Sequence, residues 1–106
     1  MTKMLAPEQC ETMAEVRAGV DRTDRELVAL LARRFSFMDA AARIKCDHAA
    51  VRDERRKAEV IDNVRHHARA AGIPEAVVAA IWETLVEGSI AYESERFDAL
   101  RETSAR

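Results

Sequence analysis

The sequence predicts an all-α protein, a three-helix protomer with a very long first helix, and three observations carry that prediction. Only 3 Gly and 2 Pro occur among 106 residues rich in Ala, Leu, Glu and Arg, and breakers this sparse leave helices uninterrupted. Apolar residues recur at helical spacing from Met13 onward. Capping residues then divide the chain into three segments. The length fits a single domain over 1–106, and 48% hydrophobic residues suffice for a small core.

The first helix is expected over about 13–46. Thr12 followed by Glu15 is a capping box, with the hydroxyl and the carboxylate satisfying each other's backbone amides. Met13, Val16, Val20, Leu27, Leu31, Met38 and Ala42 then share one stripe. Gly19 is tolerated inside this helix at a cost of about 1 kcal/mol. Residues 47–52 read as a short connection. Asp53 is a good N-cap for a second helix over 54–71, whose apolar face is Val60, Ile61, Val64 and Ala68. Gly72 is expected just past its end, and Pro74 at the first position of a third helix over 74–101. In that helix Val86, Ile90 and Phe97 form one apolar line. Val77, Ile81, Leu85 and Tyr92 form a second line able to pack on the core, with Trp82 and Tyr92 read as packing residues.

A helix over 13–46 is about 50 Å long, whereas a compact domain of this size is only about 35 Å across. Its stripe therefore needs a partner, and an intertwined homodimer supplies one. A long monomeric hairpin is the alternative.

Charge and composition exclude several classes. The formal net charge is -2 and the cations alternate with acids, which argues against a nucleic-acid binder. No apolar run approaches the roughly 20 residues that span a bilayer, so no membrane partner is expected. The opening MTKMLAPEQC lacks the apolar stretch of a signal peptide, so the expected location is cytoplasmic. Cys10 and Cys46 are isolated and fit reduced thiols. His66 and His67 diverge by about 100° on a helix, and Cys46 with His48 lacks further ligands. Neither a metal nor a cofactor is expected.

Cations interrupt the first stripe. Arg34 and Lys45 fall in its middle and Arg17 on its shoulder. Burying an unpaired cation costs several kcal/mol, and no carboxylate on the same stripe balances these, so a pocket for a small anionic ligand is expected. Either cation alone would read as a snorkelling side chain. Arg34 and Lys45 differ by about 20° in direction and about 16 Å along the axis, so both reach one pocket. Arg17 lies about 25 Å below Arg34 and points some 100° away, which suits the pocket of an antiparallel partner. Glu93 interrupts the Val86 line of the third helix. There, burial favours the uncharged acid and a nearby lysine favours the carboxylate.

The strings EVRAGVDRTDRELVALLARR, ARIK, VRDERR and EGSIAYES extend the pattern from about Glu8 to Phe97, with Arg17, Arg34 and Lys45 spaced by 17 and then 11 residues. Together they resemble the all-helical chorismate mutase family, which includes the related isochorismate pyruvate lyases. The resemblance implies an intertwined dimer whose two sites each borrow an arginine from the partner. It implies a cofactor-free Claisen rearrangement of chorismate to prephenate, a step of aromatic amino-acid biosynthesis. Arg34 and the partner's Arg17 would clamp the substrate carboxylates, with Arg56 assisting, although ERRK reads equally well as a solvated helix face. Lys45 would donate to the ether oxygen, and Glu93 occupies the position of the second donor. A glutamate donates only when protonated, so activity is expected to fall as pH rises.

Asp53, the VRD string and Ser89 resemble the mutase branch, where they would orient the ring hydroxyl. Lys57 stands where typical mutases carry a carboxylate, and the Lys45-to-Asp53 connection is one residue short. Both features resemble the lyases, which make salicylate and pyruvate from isochorismate. A non-catalytic helical dimerisation module is a further alternative, and it predicts no turnover.

Overall fold

The computed structural model describes residues 5–104 and contains three helices: α1 (Met13–Ile44), α2 (Glu54–Ala71) and α3 (Glu75–Ser104). Short 3₁₀ turns occupy Pro7–Gln9 and His48–Ala50, and no strand occurs among the described residues. None of the described helices is long and apolar enough to cross a membrane. Contacts divide the chain into two units that meet within α1, one ending at Ser36 and one beginning at Phe37.

In the first unit, the capping box forms at the start of α1. The Glu15 amide donates to the Thr12 hydroxyl at 3.2 Å, and the Thr12 amide donates to the Glu15 carboxylate at 3.0 Å. The Glu11 amide and the Thr12 hydroxyl also donate to that carboxylate, and together they hold the Glu15 carboxyl below its ordinary range. The apolar stripe that follows is open in the single chain, with Met13, Val16, Val20, Leu27 and Leu31 exposed. Leu5, Pro7, Cys10, Val16 and Val20 line an open, mostly apolar groove of about 600 Å³.

The second unit holds the end of α1, the 3₁₀ turn, α2 and α3. Here α1 stops at Ile44, short of the expected Cys46. The Lys45 amide still reaches the Ala41 carbonyl at 2.9 Å. Asp47 is extended, and its carboxylate accepts from the Ala49 amide at 3.0 Å, so it starts the 3₁₀ turn instead of continuing the helix. Asp53 caps α2 by accepting from the Arg56 amide at 3.0 Å. Gly72 ends α2 with φ +74°, a left-handed conformation that favours glycine. The Ile73 amide then reaches the Ala68 carbonyl at 3.0 Å and the Gly72 amide that of Arg69 at 3.1 Å, which closes a Schellman motif.

Pro74 precedes α3 rather than opening it, with its carbonyl accepting from the Val78 amide at 3.2 Å. The helix continues past the expected Arg101 to Ser104, in a segment without Gly or Pro.

Packing in this unit follows one stripe of α3. Ala79, Val86, Ser89, Glu93 and Phe97 are buried on it, as are Val64 and Ala68 of the facing α2. Val60 and Ile61 are half-buried. Ala42, Val51 and Phe97 form a buried cluster with Ile90 and Leu100 against it. The second apolar line expected on α3 is divided. Leu85 and Tyr92 are half-buried, but Val77 and Ile81 are 57% and 53% exposed. Both stand about 200° around the helix from Ala79, on its far side.

Candidate active site

Two interruptions of apolar stripes, one on α1 and one on α3, meet in the second unit. The Lys45 ammonium donates to Glu93 Oε2 at 2.6 Å. The Glu93 side chain is only 6% exposed and that of Lys45 is 29% exposed. The pair is thus enclosed but open to one side from the lysine end. Lys45 emerges at the C-terminal end of α1, where the helix stops and its side chain can turn across to α3. A primary ammonium carries three donors, so bonding to Glu93 leaves others for a ligand.

Ser89 lies one turn before Glu93 on the same buried stripe, and its hydroxyl donates to the Leu85 carbonyl at 2.7 Å. Asp53 is exposed at the start of α2, where its carboxylate caps the helix. Arg56 is exposed on the first turn, with its guanidinium 3.3 Å from Glu59. Arg17 and Arg34 belong to the first unit, where Arg17 is exposed and Arg34 half-buried.

Several residues outside the sequence-derived set hold this scaffold. The Tyr92 hydroxyl and Arg96 Nε both donate to Asp39 of α1, at 2.9 and 3.1 Å, so Tyr92 does more than pack. The Asp39 carboxylate keeps the Tyr92 phenol above its ordinary range. Arg101 donates to the carbonyls of Ala42 and Lys45, and its guanidinium lies 3.7 Å from the centre of the Phe97 ring. Sequence periodicity held a signal for it: Arg101 is two turns beyond Glu93, a cation on the same α3 stripe.

Lys57 is enclosed by acids. Its ammonium donates to Glu83 at 2.6 Å and to Glu87 at 2.8 Å, and its side chain is 18% exposed. Arg52 grips Glu87 with two bonds, at 2.7 and 3.2 Å, and also donates to Glu54 at 2.8 Å. Arg52 and then Lys57 hold the Glu87 carboxyl down at about 2, while Glu83 and then Glu87 raise Lys57 above its ordinary range. This network ties the start of α2 to the middle of α3.

Because Glu87 binds its proton more weakly folded than unfolded, its contribution is complete above the ordinary value of 4.5 and is lost as pH falls from there toward about 2. Glu87→Gln is expected to lose stability at about pH 7 and to show a smaller further loss at about pH 3 than wild type. Urea midpoints at the two pH values check this.

The chorismate mutase type II family matches residues 16–94. The isochorismate pyruvate lyase of Pseudomonas aeruginosa is 30% identical over 88 residues, which cover 83% of this chain and 87% of that relative. The match takes in α1 from Val16 onward, the whole of α2 and the part of α3 that carries Ser89 and Glu93. On that span, the chain belongs to the chorismate mutase type II family.

Proposed function

We propose that the protein catalyses the Claisen rearrangement of chorismate to prephenate, and that the Lys45–Glu93 pair is its catalytic centre. The observation that carries this reading is the 2.6 Å contact between the Lys45 ammonium and a carboxylate whose side chain is only 6% exposed. In the rearrangement one C–O bond breaks and one C–C bond forms within a single molecule, so no nucleophile, redox partner or cofactor takes part. What remains for the protein is to hold a compact conformer and to stabilise negative charge growing on the ether oxygen.

Lys45 donates to that oxygen, and Glu93, when protonated, supplies a second donor. Arg34 and Arg17 of the partner subunit hold the two carboxylates, for which their planar forks are suited. Asp53 and Ser89 orient the ring hydroxyl, and Arg56 assists in holding the carboxylates. The active form in this reading is a homodimer. The exposed α1 stripe, with Met13, Val20 and Leu27 each more than half exposed, supports it.

A second reading has its own support. The Pseudomonas aeruginosa relative is an isochorismate pyruvate lyase. Lys57, the residue where typical mutases resemble one another in carrying a carboxylate, is already committed here to Glu83 and Glu87. In that reading Lys45 stabilises the departing enolpyruvyl oxygen of isochorismate.

Incubation with chorismate and isochorismate separately, with products resolved chromatographically against enzyme-free controls, decides between them. Prephenate from chorismate as the dominant product is expected. Salicylate and pyruvate from isochorismate at much higher efficiency would assign the lyase reaction. Turnover of neither would leave a helical dimerisation module.

A further inference from the structure

We propose that Arg101 is a positioning residue for Lys45, locking the lysine's backbone so that its ammonium is held at one place in the site. The functional part of this inference rests on the reading of Lys45 as the charge-stabilising donor. Three residues spaced by one turn on α3 carry the argument. Glu93 takes the ammonium of Lys45 at 2.6 Å. Phe97, one turn on, is buried and forms the floor of the cluster with Ala42 and Val51. Arg101, a further turn on, places one guanidinium nitrogen 2.6 Å from the Ala42 carbonyl and donates from the other to the Lys45 carbonyl. One helical stripe therefore grips the same lysine at both ends.

The position of Lys45 makes such a grip necessary. It is the first residue past α1, and the last four carbonyls of a helix have no partner within it. A lysine side chain also has four rotatable carbon–carbon bonds, so an unrestrained backbone would spread its ammonium over several ångströms. Arg101 satisfies two of the orphan carbonyls at once, and its positive charge faces the negative end of the α1 dipole. Its guanidinium lies 3.7 Å from the Phe97 ring centre, where a flat cation is itself held in place. The 3₁₀ turn after Lys45 is fixed to the same stretch of α3, since His48 Nε2 and the Ser94 hydroxyl are 2.7 Å apart and the His48 ring meets Phe97 edge-on at 5.5 Å. Lys45 is thus bounded on either side by backbone docked on α3.

A general loss of α1–α3 docking must be separated from loss of the lysine's position, and Arg96 provides the control. It also joins α3 to α1, but through Asp39 at 3.1 Å rather than through Lys45. Arg101→Met keeps an unbranched apolar side chain but removes every donor and the guanidinium over Phe97; Arg96→Met makes the same change at the control position. Two readouts are taken on wild type and both variants. One is the ¹H–¹⁵N signal of the Lys45 ammonium, assigned by its disappearance in Lys45→Arg. The other is kcat and KM with whichever of chorismate and isochorismate the wild type converts.

The expected result is that Arg101→Met broadens or loses the ammonium signal and lowers kcat about tenfold, with KM changed by less than about threefold. Arg96→Met is expected to keep the signal and most of kcat, even where its melting temperature falls as far. An unchanged Lys45 signal in folded Arg101→Met, or an equal loss of signal in both variants, overturns the proposal. If Arg101→Met does not fold, Arg101→Lys, which retains the charge but cannot bridge two carbonyls with a planar fork, carries the same comparison. The signal does not depend on turnover. A wild type inactive on both substrates would refute the catalytic reading, and the signal would still test the grip on Lys45.

Discussion

Replacing Lys45 by alanine is expected to lower kcat/KM by about 10²- to 10³-fold, the usual cost of removing one donor aimed at developing negative charge. The same change leaves Glu93 buried without its ammonium, since the pair is a 2.6 Å contact and the glutamate side chain is 6% exposed. Losing a charge-assisted bond at such a site costs about 2 to 3 kcal/mol. Stability and chemistry must therefore be separated. In the double variant Lys45→Ala with Glu93→Gln no charge is left stranded, so most of the melting temperature is expected to return while the rate stays low. A double variant that regains activity along with stability would show that Lys45 acted only by holding the fold. Glu93→Gln alone puts a permanent amide donor one hydrogen bond from Lys45, so its kcat/KM is expected to match or exceed that of wild type. A loss as large as that of Lys45→Ala would remove position 93 as the second donor.

What the sequence revealed and what it hid have physical reasons. Thr12 with Glu15, Asp53 and Gly72 each act through bonds to residues within four positions, and local chemistry of that kind is readable from a single chain. Lys45 and Glu93 were visible as polar residues on apolar stripes, even though nothing local says that the two stripes meet. The grip of Arg101 on α1 and the enclosure of Lys57 by Glu83 and Glu87 depend on the register between helices. Periodicity gives the face a residue occupies but not what stands opposite it. The exposure of Val77 and Ile81 has the same origin, because a second apolar line on α3 does not say which line faces α2. Asp47 ended α1 early through a local bond to Ala49, the one boundary signal of this kind that reading by hydrophobic period passed over.

Mixing Arg17→Ala subunits with Arg34→Ala subunits is expected to restore activity that neither variant has alone. Each single substitution removes a bidentate hold on a substrate carboxylate and is expected to cost about 10²-fold in kcat/KM. If Arg17 serves the partner's pocket, each variant homodimer has two damaged sites. The mixed dimer has one site lacking both arginines and one lacking neither. With random reassociation half the dimers are mixed, so recovery should reach about a quarter of the wild-type rate per site. Native mass spectrometry measures the mixed fraction, and kcat/KM is compared before and after exchange. The exposed α1 stripe gives the subunits a surface on which to exchange, because Met13, Val20 and Leu27 are each more than half exposed in the single chain. Mixed dimers that form without any recovery would confine each site to one chain. A monomeric hairpin would leave each variant at its own residual rate whatever the mixing ratio, because no chain would then lend a cation to another.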